Sequence, residues 1–356
     1  MYSVIMAGGR GSRFWPRSRK KNSKQTQNIV GRHTMIQDTV RRLEPVSGAD
    51  RILIVTNHLL VDRIREQVPS IPEQNILVEP MSRSTAPCIG MAAVVIESRE
   101  PGAVMACFAA DHLIENRAAF ENNVRFACGV AEETEDLVIF GIPPVRPDAG
   151  FGYIKAGKQV SGETGNAAYR VEKFIEKPDL DTARKLVGDG GYYINSGMFV
   201  WKASAFLREL EKYQPAMHAG LMNIKEAMDT PMELKALGEN FRDFESLSVD
   251  YAILEKADRV LMVPAGFGWN DIGSWECLYH AWPKDEDGNA APGRKLTVDT
   301  KDCLIYSPKK LVATIGLEDV IIVETDDALL VCRKDRAQDV SMIIDILREK
   351  RWEEYL

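Results

Sequence analysis

The sequence lacks the features that mark several common classes of protein. Its six cysteines form no Cys-x-x-Cys pair, and no apolar run approaches the ~20 residues of a membrane-spanning helix. Unpaired cysteines without partner histidines argue against a zinc site or a disulfide framework and favour a cytoplasmic protein with reduced thiols. The net charge of −7 argues against nucleic-acid binding. We therefore expect neither a nucleic acid nor a membrane as a partner.

Two familiar phosphate-binding motifs are also missing. No Walker A loop occurs near Gly8, and the dinucleotide fingerprint Gly-x-Gly-x-x-Gly has Phe14 in place of its third glycine. What is present is the apolar run Val4–Met6, then Gly8, Gly9 and Gly11, then six basic residues with no acid among them: Arg13, Arg17, Arg19, Lys20, Lys21 and Lys24. A strand, an amide-rich glycine turn and a cationic segment predict a polyphosphate pocket. A glycine-rich hairpin turn with solvated basic residues is the alternative.

Apolar runs alternate with helical patterns through the first half of the chain. Strands are predicted at 52–55, 76–78, 104–110 and 137–142, and helices at 34–43, 59–68 and 89–96. This alternation predicts an α/β protein with a Rossmann-like, doubly wound mixed sheet, in which ligands bind beyond the carboxyl ends of the strands. Residues 282–294 are interpreted as a linker. The predicted domains are 1–282, and 295–356 with a small β module and a terminal helix.

Polar residues follow several of these predicted elements. Asp111 ends a buried strand, where a carboxylate is a good magnesium ligand, or else an N-cap for the following helix. Arg83, Ser84 and Thr85 stand at the start of a helix, where free N–H groups suit an anion or a base edge, or where they simply cap the helix. Asp271 lies between glycines on a predicted loop, so its carboxylate is able to point inward.

Three further segments carry polar groups in apolar surroundings. Glu176 and Lys177 follow a predicted strand and would point to opposite faces if extended, and an ordinary exposed pair is the alternative interpretation. Asn195 and Gly197 interrupt an apolar strand at 192–201, which indicates either close approach of a ligand or a β-bulge. Residues 248–255 are predicted to begin a helix capped by Ser248.

The glycine segment resembles the signature of sugar-1-phosphate nucleotidylyltransferases. The resemblance rests on Ala7-Gly-Gly-x-Gly-x-Arg13, Trp15-Pro16, Ser18-Arg19 and Lys24-Gln25, and the Phe-Trp-Pro-x-Ser-Arg form is similar to the mannose-1-phosphate guanylyltransferase branch. Similar motifs continue at 79–89, 109–112, 150–154, 174–178, 195–199, 248–252 and 266–275. Ser23, Ser84 and Ala109 depart from the family pattern. The C-terminal module resembles the short left-handed β-helix-like tail of the family.

The resemblance implies transfer of GMP from GTP to mannose 1-phosphate, with Mg²⁺ as cofactor and a homodimer as the assembly. It implies catalytic roles for Arg13, Lys24, Asp111, Lys177 and Asp271, with Asp111 and Asp271 as the metal ligands. Nucleotide binding falls to Ala7, Gly8, Gly9, Gly11, Arg13, Lys24, Arg83, Ser84, Thr85 and Asp111. Sugar-phosphate binding falls to Gly152, Glu176, Lys177 and Asn195. Another sugar phosphate or base, and a non-catalytic nucleotide-sugar-binding regulatory subunit, are the alternatives.

Overall fold

A computed structural model describes residues 1–9, 11–163 and 166–356. These residues pack into two compact units. Unit 1 comprises residues 1–8 and 38–269, and unit 2 comprises residues 9–37 and 270–356. The chain therefore leaves unit 1 in the middle of the glycine segment and returns to it within the first helix.

Unit 1 is built on a nine-stranded mixed sheet. Its strand order is β3-β2-β1-β4-β9-β6-β10-β8-β7. The strands are β1 (Tyr2–Met6), β2 (Ile52–Asn57), β3 (Ile76–Glu79), β4 (Val104–Ala109), β6 (Leu137–Ile142), β7 (Tyr153–Glu163), β8 (Asn166–Ile175), β9 (Tyr192–Lys202) and β10 (Val260–Pro264), with short strands β5 (Leu113–Ile114) and β11 (Trp269–Asn270) outside this sheet. β1, β2, β3 and β4 run parallel, whereas β9 is antiparallel to both of its neighbours, β4 and β6.

Helices cover both faces of this sheet. They are α1 (Met35–Ser47), α2 (Val61–Gln67), α3 (Thr85–Arg99), α4 (Arg117–Thr134), α5 (Leu180–Asp189), α6 (Ala203–Tyr213), α7 (Pro215–Ala227) and α8 (Glu233–Asp243). Unit 2 contains α9 (Trp275–Ala281) and α10 (Val340–Glu349). Cys107 of β4 belongs to the core cluster that contains α3, α6, α7 and α8. The adjacent Phe108 packs instead on Phe120 of α4, with ring centroids 5.5 Å apart. Because successive strand residues face opposite sides, the sheet is doubly wound, as predicted.

Unit 2 contains a small four-stranded sheet. Its order is β12 (Gly293–Val298), β13 (Leu304–Ile315), β14 (Val320–Glu324) and β15 (Leu329–Arg333). β12, β13 and β14 are parallel although only short turns join them. Parallel neighbours joined without a helical crossover require the chain to coil, as in a β-helix. Cys303, Ile305 and Ile322 form the buried core of this module.

Within the predicted linker 282–294, Asn289 is fully buried and bonds Thr300 and Cys303 through its amide group. Two other local interpretations of the sequence are wrong. Ser248 does not cap a helix: a π-helical turn, Asp250–Leu254, follows Val249 without a side-chain cap. The N-cap alternative for Asp111 fails too, since Asn116 caps α4 by accepting a bond from the Ala119 N–H.

A search of the described residues finds no helix with the length and hydrophobicity needed to span a bilayer.

Close packing of α3 on α7 leaves little room for a side chain at Gly90. A Cβ at Gly90 would lie 2.5 Å from Cδ1 of the fully buried Leu221. We expect Gly90→Ala to destabilise the protein by about 1–3 kcal/mol through overpacking. Gly129 of α4 is the matched control, because a Cβ there meets nothing within 4 Å. Gly129→Ala should stabilise by up to about 1 kcal/mol through helix propensity. Urea unfolding of both variants measures this, and equal effects would contradict the packing argument.

Candidate active site

The carboxyl ends of β1, β2 and β4 meet at one edge of the unit 1 sheet. The Ala7 N–H donates to the Val55 carbonyl at 2.8 Å, and the Ala110 N–H donates to the Met6 carbonyl at 3.1 Å. Parallel pairing therefore continues just past the strand ends and fixes the backbone there. This brings the predicted residues Ala7, Gly8 and Asp111 to the same edge, where ligands bind in open α/β sheets.

Asp111 is flanked on both sides by residues that hydrogen bonds hold in place. Thr39 donates its hydroxyl to the Ala110 carbonyl at 3.1 Å, and Arg42 donates to that hydroxyl at 3.0 Å. On the other side, the Trp269 indole N–H donates to Nδ1 of His112 at 3.1 Å. Because Ala110 and His112 are both fixed, the backbone that carries the Asp111 carboxylate has little freedom.

Glu79, at the end of β3, is a buried carboxyl group that the sequence analysis did not single out. Its side chain is 3% exposed, and Oε1 has no hydrogen-bond partner among the described residues. A Cβ at Gly8 would lie 3.3 Å from Oε2, a tight contact, so the glycine leaves more room beside this carboxyl than any other residue would. Burial raises the pKa of Glu79 to about 8. The sequence signal that could have identified Glu79 is its position directly after the predicted strand 76–78.

Two of the predicted nucleotide-binding residues, Arg83 and Thr85, bond to residues about 160 positions later in the chain. Arg83 donates to the carbonyls of Phe241 and Arg242 at the end of α8, at 2.9 and 2.6 Å. Thr85 accepts a bond from the Val249 N–H at 2.9 Å. Ser84 makes no capping bond, and its φ of 69° with ψ of −165° belongs to a region used almost only by glycine. Simple N-capping by Ser84 is therefore wrong.

Gly152, Glu176 and Asn195 converge at the other end of the sheet edge. The Asn195 N–H donates to the Gly152 carbonyl at 2.8 Å. A Cβ at Gly152 would lie 2.3 Å from Oε2 of Glu176 and 3.4 Å from the Asn195 side chain. Oε2 of Glu176 is buried and has no partner among the described residues. Gly152 and Asn195 thus lie beside the buried Oε2 of Glu176, which brings three of the four predicted sugar-phosphate residues together.

Lys177, the fourth of these residues, lies on the same side as Glu176 rather than opposite to it. Its Nζ is 3.1 Å from Oε1 of Glu176, and its φ of 45° shows that the strand has ended. The Lys177 side chain is 55% exposed, whereas the Glu176 side chain is only 6% exposed. The pair is therefore not the ordinary exposed one, since the acid is buried and the base faces solvent.

Two further acids contact this group and were missed by the sequence analysis. Asp250 accepts a bond from Nδ2 of Asn195 at 2.8 Å, and Glu255 accepts one from the Glu176 N–H at 3.1 Å. Burial raises the pKa of Asp250. Asp250 begins and Glu255 follows a short π-helical turn, where the sequence predicts an ordinary helix over 248–255. Helical periodicity gives no sign that these two side chains meet a strand end 55 or more residues earlier.

Unit 2 brings together the cationic residues of the glycine segment and the loop that carries Asp271. Lys24, only 3% exposed, donates to the Asp271 main-chain carbonyl at 2.6 Å. Arg13 donates to the Gly273 carbonyl at 3.3 Å, and the Asp271 carboxylate accepts the Gly273 N–H at 3.1 Å. These contacts unite three of the predicted catalytic residues.

A glycine is required at position 11, where the glycine turn approaches Lys24. Gly11 has a φ of 59°, and a Cβ there would lie 2.8 Å from the Cβ of Lys24. Gln25 also donates to the Gly9 carbonyl at 2.8 Å, which fixes the start of the turn. The glycine segment is thus folded around Lys24 and is not a simple hairpin.

The described residues include no group of three or more His, Cys, Asp or Glu side chains arranged to hold a metal ion. The predicted ligands are two aspartates. Carboxylate oxygens are the donors that a hard divalent cation prefers, so the donor chemistry of Asp111 and Asp271 fits such an ion.

Comparison with known proteins defines the class of protein. The family described as nucleotidyl transferase matches residues 2–288, and the mannose-phosphate isomerase/GMP-like β-helix domain matches residues 293–347. Alginate biosynthesis protein AlgA of Pseudomonas aeruginosa is 38% identical over 347 residues, which are 97% of this chain and 71% of that protein. The mannose-1-phosphate guanylyltransferase of Klebsiella pneumoniae is 36% identical over 356 residues, which are 99% of this chain and 75% of that protein.

A solved structure is similar over nearly the whole chain. It is the crystal structure of mannose-1-phosphate geranyltransferase from Thermus thermophilus, with a TM-score of 0.86 and 28% identity, covering 98% of this chain and 99% of that chain. The chain therefore belongs to the nucleotidyl transferase family. The predicted family, the mixed α/β fold and the C-terminal β-helix module are confirmed. Enzymes of this family generally use a divalent metal ion.

The buried carboxyl of Glu79 should make stability depend on pH. Its folded-state pKa of about 8 lies above the ordinary value of 4.5, so the folded protein keeps a proton that the unfolded chain releases between these values. Stability therefore falls as pH rises through this interval. We expect Glu79→Gln to raise the Tm by several degrees at pH 8 and to change it little at pH 5. Calorimetry measures this, with the exposed Glu245→Gln as control; a gain that does not depend on pH would contradict the argument.

Proposed function

We propose that this chain transfers GMP from GTP to α-D-mannose 1-phosphate, forming GDP-mannose and releasing pyrophosphate. The observation that carries the proposal is the similarity to the guanylyltransferase of Klebsiella pneumoniae, which spans 99% of this chain. The catalytic part is assigned to residues 1–282 and the β-helix module to residues 295–356. The open sheet edge of unit 1 and the cationic loop of unit 2 supply the chemistry that this transfer needs.

Glu79 supports guanine as the base. Glu79 holds a proton in the free protein because its pKa is about 8, but hydrogen-bond donors on a ligand favour its ionised form. The ionised carboxylate only accepts hydrogen bonds, and it accepts two side by side. The guanine edge presents adjacent donors, N1–H and N2–H₂, which match a carboxylate. The unpartnered Oε1 and the glycine at position 8 leave Glu79 able to receive such an edge. Arg83 and Thr85 hold the surrounding segment and Ser84 lies between them, so these three residues act on the base through the shape of the backbone.

The reaction needs no general base. The nucleophile is a phosphate oxygen of the sugar phosphate, which is mostly ionised at neutral pH because its second pKa is about 6. This oxygen attacks the α-phosphorus in line, a new P–O bond forms, and the bond to the bridging oxygen breaks so that pyrophosphate leaves. Catalysis consists of positioning the two anions and neutralising their charge. Arg13, Lys24 and the amides of the glycine segment serve the leaving pyrophosphate, and Lys177 serves the sugar phosphate.

Asp111 and Asp271 are proposed as the ligands of a Mg²⁺ ion. When bound, this ion would neutralise charge on the phosphate oxygens as a Lewis acid. What the chain supplies is two carboxylates, each carried on a backbone segment that is fixed within its own unit. The Asp111 backbone is fixed through Thr39 and Trp269, and the Asp271 backbone is fixed through Lys24.

A cytoplasmic homodimer is the proposed state of the protein. All six cysteines lie in the described part of the chain and are free thiols, which suits a reducing compartment. The first two strands of the β-helix module carry large apolar side chains that are more than half exposed: Leu296, Val298, Leu311 and Ile315. Such a surface suits a subunit contact.

Pyrophosphate release measured across nucleotides and sugar phosphates tests the substrates. We expect GTP with mannose 1-phosphate to exceed ATP, UTP and dTTP, and glucose 1-phosphate, by about tenfold or more in kcat/KM, the value of one well-placed hydrogen bond to a charged group. Preference for another pair would replace the proposed substrates. No release with any pair, together with retained binding of GDP-mannose, would favour the regulatory alternative.

Replacement of either proposed metal ligand should abolish metal-dependent turnover. We expect Asp111→Asn and Asp271→Asn each to lower kcat/KM by about a hundredfold or more, and to weaken Mn²⁺ binding as followed by electron paramagnetic resonance. Asp181→Asn, whose carboxylate is 84% exposed on α5, is the control. Near-normal turnover and Mn²⁺ binding in either variant would remove that residue from the proposed site.

A further inference from the structure

The sugar end of unit 1 contains more acid than recognition by Glu176 alone requires. Glu176, Asp250 and Glu255 come together there, and hydrogen bonds to Asn195 and to the Glu176 main chain link them. Lys177 is the cation that pairs with Glu176. Placing several carboxyl groups together costs folding free energy, because burial and mutual repulsion both disfavour their charged forms.

The Asn195 amide is held from three directions. Nδ2 donates to Asp250 at 2.8 Å, Oδ1 accepts the Gly197 N–H at 3.2 Å, and its main-chain N–H donates to Gly152 at 2.8 Å. The bond to Asp250 fixes which end of the amide is the donor. Since Asn195 is 8% exposed, it has little room to adopt another orientation.

Gly152 connects this amide with Glu176. The position that a Gly152 Cβ would take is 2.3 Å from Oε2 of Glu176 and 3.4 Å from the Asn195 side chain. Any movement of Asn195 would therefore shift the loop against which Glu176 lies. Oε2 of Glu176 remains the buried acceptor without a partner among the described residues.

We propose that Asp250 is a positioning residue for sugar recognition, which holds the Asn195 amide in place so that the buried oxygen of Glu176 is left to accept a hydroxyl of the sugar phosphate. This inference rests on the proposed function. It extends that function to Asp250, which does not contact the ligand itself and acts through its hydrogen bond to Asn195. The π-helical turn that begins at Asp250 fits this assignment, since such turns are frequent at functional sites.

The charge of Asp250 also acts on Glu176. Burial raises the pKa of Glu176, the charge of Asp250 raises it further, and Lys177 lowers it, with Glu255 as the remaining charged neighbour. A protonated Glu176 would lose an acceptor, so affinity for the sugar phosphate should fall at acid pH. Removal of the Asp250 charge should lower the pKa of Glu176 and move this fall to lower pH.

Two variants separate the roles of Asp250. Asp250→Leu removes the acceptor of the Asn195 bond, and Asp250→Asn keeps an acceptor but removes the charge. We expect Asp250→Leu to weaken mannose 1-phosphate binding by about tenfold or more in calorimetry, and to raise KM for mannose 1-phosphate but not for GTP. Asp250→Asn should retain most of the affinity and show the acid limb at lower pH. Asp258→Asn, an 89% exposed neighbour in sequence, is the control and should change neither.

The outcomes distinguish this inference from the proposed function. A wild-type protein that neither turns over nor binds mannose 1-phosphate would overturn both. A wild-type protein that is active, with unchanged affinity in Asp250→Leu, would overturn the role of Asp250 alone. If Asp250→Leu does not fold, an unshifted acid limb in Asp250→Asn is itself the contradicting result.

Discussion

The register of β1 between β2 and β4 is the constraint on which the unit 1 site depends. Met6 pairs with Val55 on one side and with Ala109 on the other, so β1 and β4 end together and β2 continues to Asn57. A shift of one residue would turn every side chain of β1 to the opposite face, so the fully buried Val4 would have to pack against the other layer of helices. Because both faces are covered by helices, such a shift is strongly disfavoured. The register therefore holds Gly8 against Glu79 and holds the backbone before Asp111.

Three of the nine described non-glycine residues with positive φ are candidate site residues or their direct neighbours. Ser84, Lys177 and Ile272 all have positive φ values although none of them is glycine. Such conformations cost about 1–3 kcal/mol each and persist only where the surroundings enforce them. Ser84 lies between Arg83 and Thr85, which both form hydrogen bonds to distant main-chain groups. Ile272 follows Asp271, whose carbonyl accepts a hydrogen bond from Lys24. Strain next to a hydrogen-bonded anchor indicates that these loops are held in shape before any ligand arrives.

Much of the fold was predictable because buried strands have a strong local signal. The run at 137–142 predicts β6 with its correct bounds, since nearly all of its side chains are apolar and buried. The β module was harder: 303–306 and 311–315 suggest two strands, yet β13 runs unbroken from Leu304 to Ile315. The polar residues Ser307, Lys309 and Lys310 interrupt the apolar pattern but not the strand, because Ser307 is buried by a bond to Glu324. Pairing across a sheet thus overrides the local pattern.

The residues of the candidate site divide into those with a motif and those without one. The sequence around some residues already predicts a ligand, as it does for Lys24, Asp111 and Asn195. Other residues are recognised as part of the site only from contacts with distant parts of the chain, as are Glu79, Asp250 and Glu255. An acid in a sequence is most often solvated, and nothing within a few residues of Asp250 reveals that Asn195 lies 2.8 Å away. Burial of a carboxyl is a property of the folded chain.

The left-handed backbone at Lys177 fits the proposal that adjacent residues of opposite charge bind one substrate. In an extended strand, Glu176 and Lys177 would face opposite sides of the sheet. The turn at Lys177 brings both to one side, with the acid buried and the ammonium group in solvent. A sugar phosphate has the same polarity along its length, since hydroxyl groups donate at one end and an anionic phosphate lies at the other. Under the proposed function, the positive φ of Lys177 places Glu176 toward the hydroxyl groups and Lys177 toward the phosphate of the same sugar phosphate. An extended backbone at Lys177 would turn the two side chains to opposite faces.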